Sequence, residues 1–187
     1  MAERALRADA RRNRDAILEA ARAVFDSAQE LRFDDFAARA GVGVGTLYRH
    51  FPTREVLAAA VYQDEIAALC ERARESTLPP GEALASFLRG FADYIVTHAA
   101  LARTFSALVD PTIQADGGNE LEQTIADLMH RARADGVIRG DVTIGAVMIA
   151  LHGIGSAMGR PNWESDSRSV AEVLIDGLST TPRPEGA

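Results

Sequence analysis

The residues of this sequence best suited to chemistry lie close together between positions 44 and 54. Thr46, Tyr48, Arg49 and His50 bring a hydroxyl, a phenol, a guanidinium and an imidazole into one short segment. Groups of this kind hydrogen-bond to phosphate oxygens and to the edges of bases. A surface helix with a purely structural role would more often carry Glu, Lys and Gln. The segment therefore indicates a surface that binds nucleic acid.

Two short predicted helices position these side chains. They cover Asp34–Ala40 and Val44–Phe51, and the turn Gly41-Val42-Gly43 joins them, which is the arrangement of a helix-turn-helix. The apolar positions are spaced to form a buried corner between the helices: Phe36, Ala37, Ala40, Val42, Leu47 and Phe51. The outward positions of the second helix are Val44, Gly45, Thr46, Tyr48, Arg49 and His50.

The run AGVGVGTLYRHFPTREVL, residues 40–57, resembles the signature of TetR-family transcriptional regulators. In that family a turn of small residues leads into a recognition helix of the form Gly-Thr-Leu-Tyr-x-His-Phe. The resemblance extends from about Ala10 to Val61. It implies a non-enzymatic regulator, most often a repressor, whose homodimer binds a palindromic operator in double-stranded DNA and responds to a small molecule.

The resemblance also implies roles for single residues. Base edges in the major groove would be reached from the N-terminal end of the recognition helix, by Val44, Gly45 and Thr46. Tyr48 and His50 would contact backbone phosphates with their polar tips. Arg54 would hold a phosphate at the start of the next helix, where the helix dipole favours an anion.

The sequence departs from the family pattern just before the first helix of the motif. Family members often have Thr there, to cap the helix and touch phosphate, whereas this chain has Arg32 and Asp34. We expect Arg32 to take the phosphate contact and Asp34 to cap the helix. Because Val44 and Gly45 have little hydrogen-bonding reach, sequence readout would depend on Arg49 or on DNA shape.

The charge distribution agrees with a basic DNA-binding head on an acidic body. The whole chain carries a formal charge of −7, which by itself argues against a nucleic-acid partner. Residues 1–55, however, hold ten Arg and nine acids, a net +1, while the remainder holds ten Arg and eighteen acids, a net −8. A locally basic head can bind phosphate while the acidic remainder limits non-specific adhesion.

Helical periodicity continues through the rest of the chain and predicts an all-α protein of about nine helices. We predict a helix-turn-helix domain of three helices over residues 1–55, followed by a helical ligand-sensing and dimerisation domain over 56–187. Within the second domain, helices are predicted at 82–98, 101–109, 120–134 and 141–158, with a last one around Val170 to Leu178. A loop is predicted at Asp116-Gly117-Gly118-Asn119, with Asn119 as the cap of the helix that follows.

The helices of the second domain enclose ligand cavities in similar proteins. The residues that this resemblance places in an effector site are Phe87, Phe91, Tyr94, Phe105, Leu108, Met129 and His152. Such a lining would admit a small apolar or aromatic compound. Two alternatives stay open for these residues, an effector cavity and an ordinary core, because aromatic side chains at helical spacing also form cores. His152 is either a satisfied core residue or a polar group in the cavity.

Glycines in the penultimate predicted helix indicate close packing against another helix. Gly145, Gly153 and Gly155 lie within it, although each Gly costs about 1 kcal/mol relative to Ala in a helix interior. In the resembled family the last two long helices pair with their copies in a dimer. The apolar positions that suit this pairing are Ile144, Val147, Met148, Leu151, Val170, Val173, Leu174 and Leu178. The alternative is a core within one chain.

Other kinds of site find little support. Cys70 is the only cysteine, so no intrachain disulfide can form. No histidine pair has metal-binding spacing, no strand or Walker Lys accompanies the glycines near position 43, and no nucleophile elbow is present. We expect no metal, no cofactor, no enzymatic activity and no membrane span, and a cytoplasmic location. The alternative function is a constitutive DNA-binding dimer without a physiological ligand.

Overall fold

The computed structural model describes the backbone of residues 2–26, 31–99, 101 and 111–180, and the side chains of 7–25, 31–99, 101 and 120–180. Its helices are α1 Ala2–Asp26, α2 Asp35–Ala40, α3 Val44–His50, α4 Arg54–Arg74, α5 Pro80–Thr97, α6 Pro111–Ala134, α7 Ile144–Ser156 and α8 Trp163–Leu178. An isolated antiparallel bridge joins Ile138 to Ser179. The predicted all-α class is confirmed. The helix predicted at 101–109 lies outside the described residues, apart from Leu101.

The described residues form two compact units that divide within α4, between Asp64 and Glu65. The N-terminal unit contains the described residues up to Asp64 together with Leu101, and the C-terminal unit contains residues 65–99 and 111–180. The boundary predicted after residue 55 lies near the start of the same helix. Nowhere in these ranges is a helix both long and apolar enough to span a membrane.

The N-terminal unit is built around the apolar face of α1. The apolar side chains that recur at helical spacing along α1 are buried: Ile17, Leu18, Ala21, Val24 and Phe25. It packs on α2 and α3, and the rings of Phe25 and Phe36 lie 5.7 Å apart between their centroids. Leu57 and Val61 of α4 complete the core. This shared core fixes α2 and α3 in position.

The C-terminal unit is organised around α5, which packs against α6, α7 and α8. Its buried face includes Leu84, Phe87, Leu88, Phe91 and Ile95, as the spacing predicts. Two ion pairs tie α5 to α8: the Arg89 guanidinium lies 2.6 Å from Glu172, and that of Arg168 lies 2.7 Å from Asp93. The indole of Trp163, at the start of α8, donates a hydrogen bond to the Ile154 carbonyl of α7 at 2.7 Å.

Two predicted boundaries are wrong. The loop predicted at 116–119, with its Asn119 cap, is helical, since α6 begins at Pro111. Its two glycines weaken the helix by about 1 kcal/mol each, a small cost for an element that packs along α5 and α7. The α7 helix begins at Ile144 rather than at Asp141, because the Thr143 hydroxyl caps it by accepting a hydrogen bond from the Ala146 amide at 3.1 Å.

Candidate nucleic-acid interface

The turn between α2 and α3 depends on glycine. Gly41 ends α2 with φ +66°, a left-handed conformation that costs glycine little. The Val42 amide then donates to the Ala37 carbonyl at 3.0 Å, which closes the end of the helix. Beyond the turn Leu47 and Phe51 are buried against the core, while Ala40 and Val42 are partly buried. The predicted corner is confirmed, and Gly41 of the predicted turn caps the end of α2.

The opposite face of α3 points away from this core. Val44, Gly45, Tyr48 and Arg49 are exposed, and Thr46 and His50 are partly exposed. A Cβ added at Gly45 would meet no atom of the described residues within 4 Å, so packing within the chain does not require glycine there. Absence of a side chain at that position lets another surface approach the α3 backbone closely. This face is the candidate interface.

Tyr48 is held from one side by the residues that precede α2. Its hydroxyl donates to the Asp34 carboxylate at 2.9 Å, and its ring meets the Phe33 ring edge-on, with centroids 5.2 Å apart. The side chain is nevertheless 46% exposed. The prediction that Asp34 caps α2 is wrong, because its carboxylate makes no capping bond and accepts from Tyr48 instead. The neighbouring Arg32 side chain is exposed.

Arg54 faces the core of the N-terminal unit. Its guanidinium donates to the Leu31 carbonyl at 2.6 Å and lies 5.4 Å from the ring centroids of both Phe25 and Phe36. These contacts favour a structural role over the predicted phosphate contact, since the planar cation already lies against two aromatic faces and a carbonyl. Because the Arg54 side chain is long and flexible, the sequence alone does not indicate whether it contacts phosphate or the core.

The start of α4 and Arg14, in the middle of α1, border the same face. Thr53 caps α4, since its hydroxyl accepts a hydrogen bond from the Val56 amide at 3.3 Å. A hydrogen bond from Thr53 also lowers the pKa of Glu55 below its ordinary value. Exposed Arg14, one of the ten Arg of residues 1–55, places its guanidinium 5.7 Å from the Phe51 ring centroid. It adds a positive charge beside α3.

Residues 17–61 match the family profile described as bacterial regulatory proteins, tetR family, and residues 79–180 match the profile of the SbtR-like transcriptional regulator C-terminal domain. The chain belongs to the TetR family. It is therefore a transcriptional regulator. Members of its family are DNA-binding proteins that are generally dimeric and non-enzymatic. No curated protein sequence is significantly similar to it.

Solved TetR-family structures resemble most of the chain. The TetR transcriptional regulator SCO0520 from Streptomyces coelicolor is 36% identical, with a TM-score of 0.65 over 90% of this chain and 99% of that one. A TetR regulatory protein from Mycobacterium vanbaalenii is 31% identical, with a TM-score of 0.68 over 94% and 99%. The repressor FadR from Thermus thermophilus, solved in complex with lauroyl-CoA, shares the fold at 21% identity, with a TM-score of 0.62 over 93% and 99%.

In this TetR-family chain three of the five described residues predicted for the effector site are buried. Phe87, Phe91 and Met129 are buried, and the Tyr94 ring lies 4.7 Å from that of His98 between centroids. Phe87 also lines a groove of about 280 Å³ between α4 and α5. The predicted residues Phe105 and Leu108 lie outside the described residues.

His152 is a correction to that assignment. It is exposed, and its Nδ1 lies 2.7 Å from the Met148 carbonyl one turn earlier. The inward face of α7 is occupied by Val147, Leu151 and Ile154. Position 152 lies about 100° round the helix from Leu151, and so the imidazole belongs neither to the core nor to an internal cavity.

An apolar surface remains on α7 and α8, though not with all the predicted members. Ile149 and Val173 are 75% and 72% exposed. The corrected positions are those buried within the chain: Val147, Leu151 and Leu178. Ile144, Met148 and Leu174 are partly buried, and Val170 is exposed. Ile149 is not among the predicted positions, although it lies four residues from both Gly145 and Gly153 and therefore on their face.

We call this surface the α7–α8 face and define it by Ile149, Gly153, Val170, Val173 and Gly177. A Cβ added at Gly153 or Gly177 would meet no described atom within 4 Å. Beside the face lies a groove of about 370 Å³, lined in part by Gly153, Trp163 and Val170. The glycines are therefore not required by packing within the described chain.

The arrangement of possible metal ligands and the environment of the one cysteine are both defined in the described residues. Among them no group of three or more His, Cys, Asp or Glu could hold a metal ion. Cys70 is buried, with its sulfur 4.0 Å from the Glu120 carbonyl. Burial raises the pKa of the thiol, which disfavours the reactive thiolate. Cys70 therefore acts as a small apolar side chain.

Proposed function

We propose that this regulator is a homodimeric repressor that leaves a palindromic operator when a small apolar or aromatic molecule binds its C-terminal unit. The exposed face of α3 carries the proposal, because its polar side chains stand on a helix that the buried corner holds rigidly. Rigid presentation of a helix is what readout of a major groove requires. Two copies would read half-sites about one DNA turn apart, roughly 34–36 Å.

Within this interface the side chains would divide their roles. Arg49 is the exposed group with the reach to contact a base edge, and Arg pairs in bidentate fashion with guanine. Val44 and Gly45 would allow the helix to approach the groove closely, with Thr46 beside them. Arg32 and His50 would contact phosphates. Such contacts raise affinity for every sequence, whereas Arg49 would select among sequences.

Replacing Arg49 with Ala is expected to change the preferred DNA sequence. Loss of a bidentate pair should relax preference at one base pair of each half-site by about tenfold. Selection from random duplexes followed by sequencing would measure the change. Arg32→Ala is the matched control, because loss of a phosphate contact should weaken binding uniformly and leave the consensus unaltered. An unaltered consensus for Arg49→Ala would remove the base-reading role.

The proposed dimer uses the α7–α8 face. Large exposed apolar side chains beside glycines with open space above them are suited to close contact with a second copy. Pairing by a two-fold axis would bring the two helices of each copy into a bundle of four. Burying Ile149 and Val173 in this way would remove apolar surface from water in both copies.

The proposed effector site lies among Phe87, Phe91, Tyr94 and Met129 of α5 and α6. Apolar side chains at these positions support a ligand that is itself apolar or aromatic. The fold shared with Thermus thermophilus FadR accommodates an acyl ligand in that protein, which supports an apolar ligand for this one. Because the division between the two units falls within α4, this helix is the element through which ligand binding would reach α3.

Effector and operator are expected to weaken each other by the same factor. This reciprocity follows from thermodynamic linkage whenever both bind the same two-state protein. A panel of acyl and aromatic compounds would be screened for release of the selected duplex, and the affinity of each active compound would then be measured with and without that duplex. The close packing of Phe87, Phe91 and Met129 favours one alternative, a constitutive DNA-binding dimer. A panel without any active compound would support that alternative.

A further inference from the structure

Two adjacent residues fix the phenol of Tyr48. The Asp34 carboxylate accepts its hydroxyl proton at 2.9 Å, while the Phe33 ring packs against the Tyr48 ring at an interplanar angle of 87°. Phe33 in turn lies 6.1 Å from the Phe36 ring between centroids, so the support continues into the core. The position of the Tyr48 hydroxyl is therefore set within the chain before any DNA is bound.

A hydroxyl group has one proton to donate, and this one is given to Asp34. Phosphate oxygens only accept hydrogen bonds, so a Tyr48 hydroxyl bonded to Asp34 has no proton left for DNA. The hydrogen bond to Asp34 raises the pKa of Tyr48 above its ordinary value of 10.0, and the phenol stays protonated at neutral pH. The expected phosphate contact of Tyr48 and its bond to Asp34 are mutually exclusive.

Asp34 also brings a negative charge to the DNA-facing side. Its carboxylate is not used to cap α2, and the nearby backbone amide of Arg32 is satisfied by Asp35 at 3.1 Å. The Tyr48 side chain is exposed on the α3 face, and so the Asp34 carboxylate bonded to it lies beside the candidate interface. An anion at that position repels the phosphate backbone.

We infer that Asp34 limits the affinity of this regulator for DNA of any sequence, by withholding the Tyr48 hydroxyl and by repelling phosphate. The inference rests on the proposed DNA-binding role of α3. Both effects act on the backbone of the duplex, and so they weaken specific and non-specific binding alike. Asp34 is thus a positioning residue that acts through Tyr48. Without its carboxylate the affinity of the protein for DNA would be higher.

A double-mutant cycle tests this inference. The wild type, Asp34→Ala, Tyr48→Phe and the double variant would be titrated with a duplex selected by the wild type and with a scrambled duplex. Asp34→Ala should tighten binding to both by about fivefold or more. Tyr48→Phe should change wild-type affinity by less than about twofold, yet weaken the Asp34→Ala variant by about fivefold, because only there is the hydroxyl available to phosphate.

Two further variants separate the charge from the hydrogen bond. Asp34→Asn removes the charge but keeps an acceptor for Tyr48, and it should tighten binding while leaving Tyr48→Phe without effect. Asp35→Ala, the matched control, removes a neighbouring carboxylate that does not bind Tyr48, and Tyr48→Phe should again have no effect. An equal loss from Tyr48→Phe in the wild type and in Asp34→Ala would overturn the inference while leaving DNA binding intact. Failure of every variant, wild type included, to bind either duplex would overturn the proposed function as well.

Discussion

Val173→Asp is expected to convert the proposed dimer into folded monomers. Val173 is 72% exposed in the single chain, so the substitution should cost the isolated fold little. In a two-fold interface the same change would occur twice, and each carboxylate would lose its water without gaining a partner. Removing water from an unpaired charge costs several kcal/mol, which is enough to separate a dimer at micromolar concentration.

Operator binding should fall together with the dimer, by at least about 100-fold, because a monomer occupies only one half-site. Sedimentation would give the oligomeric state, and titration of the selected duplex would give the affinity. Ser165→Asp is the matched control, since it adds the same charge to an exposed position of α8 off the α7–α8 face. An intact dimer for Val173→Asp would show that the second copy sits elsewhere.

Arg54→Ala is expected to destabilise the N-terminal unit by about 2–4 kcal/mol. The change removes the cation from two aromatic faces, each contact worth about 0.5–2 kcal/mol, and leaves the Leu31 carbonyl without its donor. Urea unfolding followed by far-ultraviolet circular dichroism would measure the loss. DNA affinity should fall as a consequence of the folding defect.

Two controls distinguish this structural role from phosphate binding. Arg54→Lys keeps a positive charge but lacks the planar guanidinium, and it should recover only part of the stability. Arg32→Ala removes an exposed Arg near the same interface and should change stability by less than about 0.5 kcal/mol. If Arg54→Ala unfolds like the wild type while binding DNA weakly, the phosphate role predicted from the sequence is correct after all.

The arrangement of α2 and α3 could be predicted because local spacing determines it. Gly41 provides the left-handed residue of the turn. The spacing of the buried Leu47 and Phe51 fixes which face of α3 packs against the core. The partners of long or polar side chains were not predictable in this way. Arg54 could reach either phosphate or two phenyl rings, and Asp34 could cap a helix or accept from Tyr48. Choices of this kind depend on atoms far away in the sequence.

The C-terminal unit shows a second limit of sequence reasoning. Apolar residues are so frequent along α7 that several faces look suitable for burial, and an error of one position rotates the helix by about 100°. Ile149 was therefore missed, while buried Val147 and Leu151 were assigned to the dimer. The extent of α6 was missed for a different reason, because the glycines near position 117 have only a weak effect on a helix packed against its neighbours.

The buried indole at the start of α8 makes the protein its own fluorescent reporter. Trp163 is the single tryptophan of the chain, and it borders both the Ile154 carbonyl and the groove beside Gly153. Its emission therefore monitors the C-terminal unit alone. Any variant that melts the α2–α3 region first should lose ellipticity while the emission maximum stays in place.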